Sequence, residues 1–381
     1  MAIEQAGLAD VVAGPSPGLW RIRTGSKVGV VVGDTWELRV NPRLKVPRLM
    51  FLLGYARDQS GWKRLQAHFA PDDDLFSAIA SGFSWHAAWA IDRGLLRGYI
   101  GREAQRLDLR GRVLFETQIA RGALPVPAHV RFDDFTQDIL ENRMLRTVAQ
   151  LLLRLPRVPD EARKRLHRVK SVLEGVSTLT DWRNVAAPPV TRLNERYTPA
   201  LKLAELVLAG ASLSSNIGEI RSTTFVFDMN RVFEDFVTAA FREAMRKWGG
   251  VVRDQVTPFS LDVAGRLSLK PDLSWWDGGS CLAVIDAKYK AIDEGVMRHP
   301  DAYQMLAYCI AYGLPRGYLV YARDTGEESR THRVRHSGHE IVVTTIDVEK
   351  EPEDLLADVA AVAREIALRV KAGDPGGAVA A

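Results

Sequence analysis

The chain has 381 residues, 46% of them hydrophobic and 26% charged, which fits a globular protein of two or three domains. No apolar run reaches the roughly 18 residues that a spanning helix needs, so no membrane partner is expected. Two cysteines, Cys281 and Cys309, are too few for a disulfide framework or a zinc ribbon, and a net charge of +4 permits a nucleic-acid partner without requiring one.

The opening "MAIEQAGLADVVAGPSPG" has no basic segment leading into an apolar one, so no secretory leader is expected and the cytoplasm is the expected compartment. "GPSPG" at 14–18 matches G-x-S-x-G on paper, but two prolines leave it neither the strand nor the helix of a nucleophile elbow. Residues 19–40, broken by Gly25, Gly29 and Gly33-Asp34, suggest a small β-meander. "TGSKVG" within it lacks the G-x-x-x-x-G-K-[ST] pattern of a phosphate loop, and no other stretch supplies that pattern, so the chain is not expected to hydrolyse a nucleoside triphosphate. A helix is expected over "PRLMFLLGYA" and another over "DDDLFSAIASGFSWHAAWAIDRGLLRGYI", with "RGRVLFETQIARG" as a strand.

Residues 135–213 read as mostly helical, interrupted at Pro156, Pro159 and Pro188-Pro189. Within them, residues 142–170 carry nine basic residues against two acidic ones. Such a cluster is either a phosphate-neutralising patch or the solvated face of two helices.

The last third has a cleaner order. Asp228 is a candidate cap for a helix whose stripe is Met229, Val232, Phe233, Phe236, Val237, Ala240 and Phe241, ended by Gly249-Gly250. Strands are expected at about 256–263, 267–276 and 281–289, then a helix over "DAYQMLAYCIAYG", strands "GYLVYA" and "EIVVTTIDV", and a closing helix from Pro352 to about Lys371. His332, His336 and His339 suggest a metal site on paper, but "SRTHRVRHSGHE" reads more simply as an exposed basic hairpin. The expected architecture is an α/β domain over 218–372 with one central sheet covered on both sides. A β-rich region over 1–130 and a mostly helical one over 131–217 precede it, and a disordered tail over 373–381 follows.

Within that domain, "LKPDLSWWDGGSCLAVIDAKYK" places Asp272, Asp286 and Lys288 where an apolar hairpin should be burying Val and Leu. Strands avoid Asp, and buried charge is costly unless paired or metal-bound. Residues two apart share a strand face, so Asp286 and Lys288 lie side by side with Leu282 and Val284 behind them. Ala283, Ile285 and Ala287 make the other face apolar as well, the mark of a central strand. The "DGGS" turn folds the preceding strand back, and one register puts Asp272 opposite Asp286 while a slip of one residue separates them. Brought together, the two carboxylates repel unless a hard divalent cation such as Mg²⁺ joins them, with Lys288 beside it to orient or deprotonate a water. The plainer alternative is an Asp272–Lys288 salt bridge at the strand ends.

"PD" at 271–272 with "DAK" at 286–288 resembles the PD-(D/E)xK nuclease motif. More narrowly, "FDMNRVFEDFV", "DAKYK" and "DAYQMLAYC" resemble the McrC subunit of modification-dependent restriction systems. "RGRVLFETQIARG", "DDFTQDILENRMLR" and "YTPALKLAELVL" are similar to its middle region, and "LRVNPRLKVPRLMFLLGYA" to its amino-terminal part. The resemblance implies a PD-(D/E)xK core with a mixed central sheet flanked by helices. It implies Mg²⁺ held by Asp272, Asp286 and the Ala287 carbonyl, Lys288 as catalytic lysine and Glu234 completing the site. Gln304 and Tyr308 match a Gln-x-x-x-Tyr pair of one nuclease branch, four residues apart on one helix face, and are implied to touch DNA or support the site. The implied partners are double-stranded, modified DNA and a separate McrB-like AAA+ GTPase, with residues 1–130 as a candidate motor-docking module. A nuclease of another DNA-processing or repair motor, and a non-catalytic bridge that activates the GTPase, stay open as alternatives.

Overall fold

The computed structural model describes residues 8–16, 18–32, 37–57, 59, 74–108, 111–116, 127–182, 185–214, 223–289, 299–323 and 329–372. In chain order, β1 (Ala9–Ala13), β2 (Trp20–Thr24), β3 (Lys27–Val32) and β4 (Glu37–Val40) precede helices α1 (Val46–Arg57) and α2 (Leu75–Ile91). Then come β5 (Gly98–Arg106), β6 (Arg112–Val113), β7 (Ala128–Thr136), α3 (Leu140–Leu153), α4 (Asp160–Val172) and α5 (Thr198–Ser214). The last part holds β8 (Thr223–Asp228), α6 (Met229–Met245), β9 (Val251–Asp254), β10 (Leu273–Asp277) and β11 (Ser280–Lys288). It closes with α7 (His299–Tyr312), β12 (Arg316–Arg323), β13 (Arg330–Arg333), β14 (Glu340–Asp347) and α8 (Pro352–Lys371).

The chain divides into two compact units, Met1–Leu75 with Leu213–Ala381, and Phe76–Ser212. These boundaries differ from the expected ones at 130/131 and 217/218. The reason is a strand pairing that local sequence does not announce. β3 lies antiparallel to β8, with Val30 opposite Phe225 and Lys27 opposite Asp228, so β3 and β4 belong to the sheet that feeds α6. The expected meander is likewise redistributed: β2 pairs with β1, and β3 with β4 and β8. The "GPSPG" stretch lies at the β1–β2 turn, where Gly14 N donates to Leu19 O at 2.8 Å. The expected tail at 373–381 lies outside the described residues.

In the larger unit a six-stranded sheet runs in the order β13-β14-β12-β11-β10-β9. β11, β12 and β14 are parallel, while β9, β10 and β13 are antiparallel to their neighbours, so the sheet is mixed. The expected strand at 256–263 is absent: residues 255–272 make one bridge, Ser260 to Ser268. Pro258 has no N–H to donate, and Asp262 Oδ1 accepts from Leu267 N at 2.6 Å, closing the segment on itself. Helix α6 forms where expected. Asp228 caps it by accepting from Asn230 N at 3.0 Å, and the stripe from Met229 to Phe241 is buried. Phe236 meets Phe51 and Tyr55 of α1 at ring distances of 5.6 and 5.7 Å. On the opposite side of the sheet, Met305, Tyr308, Cys309 and Tyr312 of α7 pack on Val284, Leu319, Tyr321, Ile341 and Val343. Gly317 permits that approach, because a Cβ there would stand 2.2 Å from Met305 Sδ and 2.8 Å from Cys309 Sγ. Pro352 opens α8 and Lys371 ends it, as expected.

The smaller unit carries a sheet ordered β5-β7-β6 and the helices of 76–212. Strands β5 and β7 fall where no strand was expected; Gly94, at φ +88°, stops the chain after α2 and lets β5 begin. Of the expected strand over "RGRVLFETQIARG", only Arg112–Val113 is paired among the described residues. The basic cluster is spent largely on internal contacts. Arg143 bonds Asp138 and Arg168 bonds Asp92; Arg146 and Arg163 bond backbone carbonyls, Arg165 bonds Ser84, and Lys164 bonds Glu161. Buried Asn142 bridges Leu96 O and Gln137 O at 2.9 and 2.7 Å, joining helix α3 to the ends of the β5–β7 pair.

Candidate active site

The hairpin turns through Gly278 and Gly279, with φ of +53° and +91°, the two successive left-handed positions of a two-residue type I′ loop. β10 and β11 then pair as far as Leu273 opposite Ile285. One step further along that register, Asp272 stands opposite Asp286. Its Oδ2 accepts from Ala287 N at 2.9 Å, taking a strand N–H that lies past the end of the paired ladder. Asp286 and Lys288 share the face of Val284, the face covered by α7. The Lys288 ammonium stands 2.5 Å from Asp286 Oδ2.

Asp286 is 1% exposed. Burial pushes its carboxyl above the usual range, with Lys288 and a hydrogen bond from Asp272 opposing the shift. Asp272 is pushed up to about 8, first by burial, then by the charges of Asp286 and Glu234. Without a cation the pair therefore keeps a proton near neutral pH, because two close acids do not both ionise. Burial pulls the Lys288 ammonium down, but Asp286, then Asp272 and Asp301, outweigh it and leave it above the usual lysine range.

Glu234 is half-buried on α6 rather than facing solvent. Burial raises its carboxyl, Lys288 opposes, and Asp286 adds to the rise, so it lies within electrostatic reach of the hairpin charges. Gln304 is exposed, and its Nε2 donates to the Tyr308 hydroxyl at 2.8 Å. That hydroxyl in turn donates to Lys270 O at 2.9 Å, two residues before Asp272. The Gln304–Tyr308 pair thus fixes the segment that delivers Asp272. Two residues absent from the sequence reading also belong to the neighbourhood: buried Asp301, and Tyr321, whose hydroxyl donates to Asp301 Oδ2 at 2.8 Å. The only local signal was an acid in the first turn of α7, which resembles ordinary helix capping.

Asp286 Oδ2 is buried against the Lys288 ammonium at 2.5 Å, an ion pair whose carboxylate a bound cation would take over. Among the described residues, no three of His, Cys, Asp and Glu gather into a ligand set. His332, His336 and His339 therefore do not form one, and Glu234 does not join the two aspartates in one. A two-carboxylate donor set suits Mg²⁺, which is held by one or two carboxylates and completed by water and phosphate. It does not suit a structural zinc.

Fold and site together define an α/β protein with an acid–acid–lysine centre at the end of a mixed six-stranded sheet. The chain belongs to the McrBC 5-methylcytosine restriction system component family, whose family model matches residues 22–322. Its fold is similar to that of a chain from the Thermococcus gammatolerans assembly of McrB AAA+ hexamers with bound McrC. That likeness has a TM-score of 0.60 and 20% identity over 94% of this chain and 86% of that one. A chain of the McrBC complex from the same organism, determined by cryo-electron microscopy, is more distant. There the TM-score is 0.37 and the identity 23%, covering 59% of this chain and 68% of that one. The curated proteins compared with the chain gave no match. Among the described residues, no helix is long and apolar enough to cross a membrane.

Proposed function

We propose that this chain is the nuclease subunit of a modification-dependent restriction complex, a PD-(D/E)xK enzyme that hydrolyses DNA phosphodiesters with Mg²⁺. The observation that carries this reading is the placement of Asp272 opposite Asp286, with Lys288 on the face of Asp286. Asp272, Asp286 and the Ala287 carbonyl are the groups that would hold the ion. When bound, Mg²⁺ polarises the phosphoryl oxygen and makes its water a better nucleophile. Lys288, freed from Asp286, orients the attacking water and offsets charge in the transition state. Glu234 extends the acidic rim, and the Tyr308–Lys270 hydrogen bond keeps Asp272 in register.

The partner in this reading is a McrB-like AAA+ GTPase, and the substrate is double-stranded, modified DNA in the cytoplasm. Family membership supports it, as does the likeness to a chain of an assembly built on McrB hexamers. A non-catalytic bridge would leave a costly buried carboxyl, Asp286, and the half-buried Asp272 beside it without a role. In the test, Asp286→Ala abolishes DNA cleavage in Mg²⁺ while stimulation of the partner's GTPase persists. Full cleavage by that variant would remove the assignment.

A further inference from the structure

Lys288 has a problem that its contact with Asp286 only postpones. Its side chain is 14% exposed, and the carboxylate it touches is the one proposed to bind the ion. Once a cation takes Asp286, a nearly buried ammonium loses its partner and is repelled by the new charge. The structure holds a second acid nearby. Asp301, 5% exposed in the first turn of α7, lies within electrostatic reach of both Lys288 and Asp286. Its position is fixed by Tyr321, whose hydroxyl donates to Oδ2 at 2.8 Å. Tyr321 is the residue of β12 directly in register with Lys288 of β11, so its side chain and Lys288 leave the sheet on one face. A helix N-terminus favours a carboxylate there, so Asp301 is seated by α7 and aimed by β12.

We infer that Asp301 and Tyr321 form a positioning pair that receives the Lys288 ammonium when metal occupies Asp286, holding it at the reaction centre. The inference rests on the nuclease reading and deepens it: the lysine is handed between two acids instead of staying paired with one. Asp301 supports both the ion, by removing the competing ammonium from Asp286, and the chemistry, by fixing the amine. Partners of this kind outside the ligand set typically control about 10- to 100-fold in metal affinity or activity.

The test uses the full chain, with Mg²⁺ binding followed by calorimetry and cleavage measured with the motor partner present. Asp301→Asn is expected to weaken Mg²⁺ binding and lower kcat by about 10- to 100-fold each, with KM for DNA unchanged. Tyr321→Phe keeps every charge and removes only the hydroxyl, so a same-direction loss separates positioning from bulk electrostatics. It also carries the test if Asp301→Asn does not fold. Wild-type Mg²⁺ affinity and kcat in Tyr321→Phe, or in a folded Asp301→Asn, overturn the inference. Asp286→Ala, run alongside, distinguishes the two failures: if it also cleaves normally, the nuclease reading itself falls.

Discussion

Asp272 and Asp286 face each other one step beyond the last residue pair of the hairpin, Asp286 held by its pairing with Leu319 and Asp272 by Gln255 N, which donates to its carbonyl at 3.1 Å. Opposite positions in an antiparallel pair bring side chains within a few ångströms, so the register that sets Leu273 against Ile285 is what brings the two carboxyls together. Asp272→Asn keeps the shape and removes one charge. Calorimetry should show a loss of Mg²⁺ binding for it, and cleavage should fall with it; unchanged binding would place the ion elsewhere.

The same pair sets a pH dependence. Asp272 is raised to about 8 in the fold, against about 3.9 in an unfolded chain. A raised acid contributes stability that is complete below its unfolded value and is lost as pH rises through its folded one. The metal-free Tm should therefore fall by several degrees between about pH 4 and pH 8, and Asp286, shifted the same way, adds to the fall. Millimolar Mg²⁺ should restore more Tm at pH 8 than at pH 5. Thermal melts with and without EDTA measure both, and a flat metal-free profile contradicts the coupling.

Lys288 touches Asp286, and in the proposed reaction acts through its amine. Lys288→Met should lower kcat by about 10²- to 10⁴-fold while leaving KM for DNA within a few-fold. Lys288→Arg should not restore the rate, because a planar guanidinium neither fits the space of an ammonium nor gives up a proton. Single-turnover cleavage decides this.

Gly317 sets the distance between α7 and β12. Gly317→Val must displace Met305 and Cys309, which an added Cβ would overlap. Overpacking of this kind costs about 1–3 kcal/mol, visible as a lower denaturation midpoint. Because Asp301, Gln304 and Tyr308 ride on α7, cleavage should drop further than stability alone explains.

Truncation tests the pairing of β3 with β8. A chain beginning near residue 131 keeps every residue of the candidate site but loses the strand opposite Phe225 and the α1 rings packed on Phe236. It should aggregate or melt early, since it exposes a strand edge and an apolar helix face. A partner-docking role for the early residues is therefore better probed by surface point substitutions than by deletion.

Sequence by itself determined the elements whose signals are local. The cap and stripe of α6, the Gly278-Gly279 turn, the doubly apolar β11 and the proline start of α8 each depend on neighbours within a few residues. Those signals sufficed to nominate Asp272, Asp286 and Lys288, because charge in a core strand is conspicuous against its own flanks. Tertiary structure alone decided the register that sets Asp272 against Asp286, the capture of β3 by β8 across nearly two hundred residues, and the link from Asp301 through Tyr321 to the strand position of Lys288. Strand pairing and helix packing join positions that chain order leaves unrelated, so an acid that reads as a helix cap can come within electrostatic reach of a strand lysine.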